Sequence, residues 1–166
     1  MCKKLADCLI STKGVGHGRL VMSLGGLLPL KKFAGADVDR GELQRYLAYV
    51  SMCAPMLLNH ESLEFTSLSD STLRVRDRED PHGATVDLEI GQDGRLLACR
   101  AERPRLVGKQ AVQTPWFAAA TALREFEGMR IASSTEAAWD LSGGQFTYFR
   151  AEVISLAIIN PSAPSL

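Results

Sequence analysis

Four short segments between Ser62 and Ala101 alternate apolar and polar residues one by one, and this alternation decides most of what the chain can fold into. In SLEFTSL, Leu63 and Phe65 share a face. In TLRVR, Leu73 and Val75 lie on one face, with Arg74 and Arg76 on the other. In ATVDLEI, Val86, Leu88 and Ile90 oppose Asp87 and Glu89. In RLLACRA, Leu97, Cys99 and Ala101 share a face. A period of two means strands, and strands with one apolar and one polar face belong to antiparallel sheets covered on one side. The spacers LSDS, EDPHG and GQDGR are rich in turn-forming residues. The segments therefore form consecutive hairpins, a meander.

The same pattern predicts register. Val75 opposite Leu88 and Leu73 opposite Ile90 collect the apolar side chains on one face. Arg74 then meets Glu89, and Arg76 meets Asp87. On the next hairpin, Ile90 opposite Leu97 and Leu88 opposite Cys99 bring Arg100 to Asp87. A slip of one residue would reverse every face. Each cross-strand pair contributes only about 0.2–1 kcal/mol, so the charges matter here as register marks.

One segment has a helical period. Leu43, Tyr46, Leu47 and Val50 stand at i, i+3, i+4 and i+7. Asp39 reads as its N-cap, with Glu42 three residues on as in a capping box. Pro55 cannot continue a helix, which sets the end near Ser51 to Ala54. Before it, residues 1–17 read as a loosely ordered lead-in. Gly18 to Leu30 reads as one strand kinked at Gly25-Gly26, and KKFAGADVD as a polar loop.

After the meander, Glu102 to Pro115 reads as a long, mobile basic connection. The alanines of WFAAATALREFEGMRI suit a helix, but its apolar residues make no helical stripe. Glu127-Gly128 reads as a hairpin turn between strands at about 119–125 and 130–140. WDLSGGQFTYFR, Trp139 to Arg150, reads as a second hairpin turning at Ser142-Gly143-Gly144. Its outgoing strand puts Phe146 and Tyr148 on one face and Phe149 on the other. Beyond Val153 both faces are apolar, which predicts a central or covered strand. Residues 160–166 read as a frayed tail. The fold class is therefore α+β, mostly antiparallel β. A curved meander sheet, or half-barrel, packs around one main helix in a single domain spanning 18–159.

Composition narrows the function classes. Lys plus Arg equals Asp plus Glu at 19 each, so the chain lacks the basic excess with which nucleic-acid binders neutralise phosphates. Near-zero net charge leaves little repulsion between copies, and self-association is compatible with it. The four cysteines make no CxxC pair, and no disulfide framework or zinc spacing is expected. LADC at Leu5–Cys8 is no lipoprotein signal, because no apolar run precedes it. The longest apolar run, LVMSLGGLLPL, is too short and too broken to span a bilayer. With neither an export signal nor a transmembrane segment read in the chain, the default compartment is cytoplasmic.

The chemical motifs point to no reaction. GVGHG at Gly14–Gly18 precedes a strand, where a dinucleotide loop would follow one. His60-Glu61 is not followed by a second histidine at metalloprotease spacing, because position 64 is Glu64. No serine sits in a GxSxG elbow. Arg76, Asp77, Arg78, Glu79 and Asp80 form a mixed-charge cluster, the best place for an enzyme site. The reading from residues is no catalytic residue, no metal and no cofactor.

Three segments carry a family resemblance. GELQRYLA (Gly41–Ala48), the hairpin DGRLLACRAERPR, and REFEGMRIASSTEAAWDLSGGQFTYFRAEVISL (Arg124–Leu156) resemble an uncharacterised bacterial family of unknown function. In that family an RYLAE-like helix precedes a closing segment of Gly-x-Arg-Ile, Trp-x-Leu and an aromatic-aromatic-Arg run. The chain departs from the pattern at Tyr49, where the family usually has Glu, at Ala132, where it has Pro, and at MCAP after the helix. The resemblance implies only the C-terminal part of such proteins, which tend to be longer and often carry membrane segments. It also implies a fold similar to the open β-barrels of lipoprotein carriers, an analogy that argues function weakly.

The resulting expectation is a non-enzymatic domain that holds a lipid or another hydrophobic small molecule in a curved sheet. Tyr46, Trp116, Trp139, Tyr148 and Arg150 are the expected ligand-lining residues. The alternatives are a structural or assembly module that oligomerises through an open sheet edge, and an enzyme with an unrecognised site, built on the Arg76–Glu79 cluster or on Arg45 with Arg150.

Overall fold

The computed structural model describes residues 6–10, 20–24, 28–53, 57, 60–108 and 110–156. The chain opens with a three-stranded antiparallel sheet in the order β1-β2-β3, where β1 is Ala6–Ile10, β2 is Leu20–Leu24 and β3 is Leu28–Phe33. The stretch expected as one kinked strand is thus a hairpin. Leu20 pairs with Phe33 and Leu24 with Leu28, and the glycine pair at 25–26 lies outside the described residues. Within the expected lead-in, Ala6–Ile10 pairs with β2.

Helix α1 runs from Ala36 to Ser51. It starts earlier than Asp39. Its N-cap is Gly35, with φ 116°, a left-handed value that favours glycine. Asp37 and Asp39 therefore lie inside the first turn, where carboxylates complement the helix dipole. Leu47 and Val50 are buried as the stripe requires, but Tyr46 is exposed. The face turned to the sheet runs instead through Gly41, Gln44, Leu47, Ala48 and Ser51.

The main sheet is an open seven-stranded antiparallel meander in the order β10-β9-β8-β7-β6-β5-β4. Its strands are β4 (Leu63–Ser69), β5 (Thr72–Asp77), β6 (Thr85–Ile90), β7 (Leu96–Val107), β8 (Gln110–Phe126), β9 (Met129–Leu141) and β10 (Gly144–Glu152). The α+β class and the meander follow the alternation. So does the Glu127-Gly128 turn, whose φ values of 49° and 75° are those of a two-residue hairpin turn with both centres left-handed.

Between β5 and β6 the register is two residues from the expected one. Val75 faces Val86, Leu73 faces Leu88, and Arg74 faces Asp87. A shift of two keeps every side chain on its face, so hydrophobic patterning is blind to it. The turn decides. Asp80 accepts the backbone N–H groups of His82 and Ala84, and Asp77 accepts that of Glu79, which fixes the turn that sets this register. Arg74 then grips Asp87 with two hydrogen bonds of 2.6 and 2.7 Å, Arg100 pairs with Glu89, and Arg76 turns to Glu64 at 2.5 Å.

Between β6 and β7, Leu88 faces Cys99 and Asp87 faces Arg100, as expected. A bulge at Glu89/Ile90 then brings Leu96 opposite Ile90. Leu96 packs against the core and Leu97 is exposed.

Two larger corrections concern strand extent. Glu102 to Pro115 is no mobile connection, since β7 and β8 pair continuously from Glu102–Pro115 to Val107–Gln110. The alternation was hidden because polar Arg103 and Thr114 are the buried residues. The closing strand is also no central one. β10 is an edge that ends at Glu152, and Ile154 is 87% exposed.

Leu47, Val50, Val75, Val86, Leu88 and Cys99 form the core between α1 and the sheet. Burial pushes the Cys99 thiol from 9.0 up to about 12. The unfolded thiol loses its proton near 9, while the folded one keeps it to about 12. Across that window the folded chain binds more protons, so this group's contribution to stability is full below 9 and falls as pH rises. At neutral pH, iodoacetamide should modify Cys53, which is half-buried, and spare Cys99 until the chain is unfolded. Peptide mapping checks this, and rapid native labelling of Cys99 would contradict the core.

Candidate functional site

The position of α1 creates the site. The helix packs on β7 and β6. Gly41 allows the close approach, because a Cβ there would stand 3.2 Å from the Pro104 ring. The buried amide of Gln44 donates to the carbonyls of Thr85 (3.3 Å) and Glu102 (2.9 Å), fastening the helix to two neighbouring strands. The helix therefore covers the middle strand β7 and its neighbour β6, and a cavity of about 560 Å³ opens between it and the β8–β10 end of the sheet. That is within the range of roughly 300–1,000 Å³ usual for small-molecule sites. Two other hollows lined by described residues are much smaller, at about 160 and 60 Å³.

Alanines make the space. Ala48 on α1, Ala118 on β8 and Ala137 on β9 line the cavity where larger side chains would fill it. Around them stand Tyr49 and Met52 from the helix end, Trp116 from β8, and Tyr148 and Phe149 from β10. Neighbouring residues of a regular strand point to opposite faces. Here a bulge between Thr147 and Phe149 lets both Tyr148 and Phe149 line the cavity, which overturns the expected separation. Tyr49 meets Phe149 edge-on at 6.3 Å between ring centroids. Burial raises the Tyr49 pKa.

Three polar residues, Arg45, Thr135 and Glu136, complete the lining. Arg45 is held by Glu42 at 2.5 Å, and Glu136 by Arg150 at 3.4 Å. Behind Trp116 and Tyr148 lies Arg103, only 6% exposed. Its guanidinium stands 4.5 Å from the Trp116 ring centroid and 5.7 Å from that of Trp139. It donates to the Gly41 carbonyl at 2.5 Å and, at a long 3.5 Å, to the Tyr148 hydroxyl. Desolvation lowers its pKa.

Of the residues expected from sequence, Trp116 and Tyr148 lie in the cavity wall. Trp139 stands behind Tyr148, stacked on it at 5.8 Å. Tyr46 points elsewhere, with its hydroxyl 2.9 Å from His60 Nε2, and Arg150 is outside the lining, exposed and paired with Glu136. Sequence reasoning missed Arg103, Tyr49 and Phe149. The alanine clusters at 118–120 and 137–138 were the one signal for a gap in packing; the first was weighed only for helix propensity before the segment was read as a strand, and the second drew no reading of its own.

The rival cluster is not gathered into a site. Arg76 and Arg78 both pair with Glu64, and Asp77 accepts a turn N–H. Among the described residues, no group of three His, Cys, Asp or Glu side chains is placed to hold a metal. No described helix is long and apolar enough to cross a membrane.

Neither a curated protein nor a solved structure matches the chain. A family model does match, over residues 14–151. That span is well over half of the chain and includes every wall of the cavity, from Arg45 to Phe149. The chain therefore belongs to DUF6544, a family of unknown function.

Proposed function

We propose that this domain is a non-enzymatic carrier or sensor that holds one hydrophobic small molecule or lipid between α1 and the β8–β10 end of its sheet. The observation that carries this reading is the cavity itself, about 560 Å³ with an apolar floor of three alanines and an aromatic wall. An empty apolar gap of this size forfeits dispersion contacts along its whole lining. A ligand would restore them. A neutral naphthylamine dye should bind with a blue shift, saturate at one dye per chain, and be displaced by hexadecanol. A dye that never binds would refute the reading.

A second reading rests on the open edges. Among the described residues β4 and β10 are each paired on one side only, and β4 exposes Phe65 and Leu68. Such edges invite pairing with another strand, including one from a second copy of the chain. Light scattering distinguishes the two readings, because the carrier needs only a monomer.

A further inference from the structure

We infer that the ligand of this cavity is an amphiphile with an oxyanion head, carboxylate or phosphate, bound at the Arg45–Tyr148 end with its alkyl chain over the alanine floor. This inference rests on the hydrophobic-ligand reading.

Three donors lack acceptors there. The Tyr148 hydroxyl receives the Trp116 Nε1–H at 2.9 Å and the Arg103 Nη1–H at 3.5 Å. Both partners can only donate. The hydroxyl's own proton therefore has no acceptor among the described residues, although Tyr148 lines the cavity. The Nε–H of Arg45, also in the lining, is buried without a partner. So is the Nε–H of Arg103.

Charge points the same way. Among the described residues no carboxylate comes within ion-pair distance of Arg103: Glu42 acts on this buried cation from farther away, and two indole faces, the Gly41 carbonyl and the Tyr148 hydroxyl are its close partners. A buried charge normally has a counter-charge. At this end one carboxylate, Glu42, serves two guanidiniums, Arg45 and Arg103, so there is room for one more negative charge. Arginine and a tyrosine hydroxyl together suit an oxyanion, because hydrogen bonds to an ionised acceptor are the strong ones. The hydroxyl bridges the two parts of the site: it touches the cavity directly and passes on the field of Arg103 behind it.

The test is competition against the neutral dye by palmitate, hexadecyl phosphate and hexadecanol, which share one chain and differ in head. One or both anionic amphiphiles should displace the dye at roughly tenfold lower concentration than hexadecanol at low salt. Which of them does so identifies the head. Tyr148→Phe should shrink that preference, and Arg103→Met should abolish it, the preference being read within each variant as the ratio of anionic to hexadecanol displacement. Circular dichroism and urea unfolding show whether each variant is folded. Equal binding of all three amphiphiles to the wild type overturns the inference and leaves the hydrophobic-ligand reading standing. A preference that survives both substitutions overturns the assigned head site. If no amphiphile displaces the dye, the underlying reading fails as well.

Discussion

Leu47→Ala is expected to lower the stability of the folded chain by about 2–5 kcal/mol, the cost of emptying a buried leucine site that relaxes only in part. Leu47 is 0% exposed and stands in the core with Val75, Val86, Leu88 and Cys99. It is the central contact of the only helix among the described residues that packs on the main sheet. The strands cannot close up behind the deletion, because their spacing is fixed by backbone pairing to both sides. Urea unfolding followed by circular dichroism measures the effect. The midpoint should fall while the slope stays unchanged. A loss below about 0.5 kcal/mol, the range of an ordinary surface change, would mean that α1 is not seated on the sheet at this point.

Ala137→Trp should separate binding from folding. Ala137 is 6% exposed and lies on the floor of the cavity. An indole placed there occupies the space meant for the ligand. Dye and lipid affinity should fall roughly tenfold to a hundredfold, corresponding to the ~1–3 kcal/mol that overpacking a filled site costs. Stability should change little or rise, because the new side chain enters a void and regains contacts. The opposite pattern, large destabilisation with binding intact, would place the ligand elsewhere and show Ala137 to be in ordinary close packing.

The parts of this fold that were legible in the sequence are those governed by a simple period. Val75, Val86, Leu88 and Cys99 alternate with charged residues and lie inside, where alternation puts them. The Glu127-Gly128 turn was legible because few residues adopt its left-handed backbone. Reading failed where a polar residue faces inward or a bulge breaks the period. Arg103 and Thr114 made two paired strands look like a basic loop. The bulge at Thr147/Phe149 returned Tyr148 and Phe149 to one wall. The register of β5 on β6 failed for a third reason. Its choice between two face-preserving pairings belongs to Asp77 and Asp80 in the turn, not to the strands.

The site was less legible than the fold, and for related reasons. Trp116 and Tyr148 could be named because aromatic residues on a covered strand line whatever it encloses. The space they line could not, because it arises from the placement of a helix. That placement depends on Gly41 beside Pro104 and on the Gln44 amide spanning two strands. None of these contacts has a sequence period. Arg103 was read as part of a mobile basic connection, yet it is the most deeply buried charge of the candidate site.

Native mass spectrometry of the protein purified without detergent tests the central claim most directly. A chain carrying one small hydrophobic adduct is predicted, with the adduct removed by organic extraction, replaced by added palmitate or hexadecyl phosphate, and absent from Ala137→Trp. A bare chain that takes up neither amphiphile nor hexadecanol would contradict it.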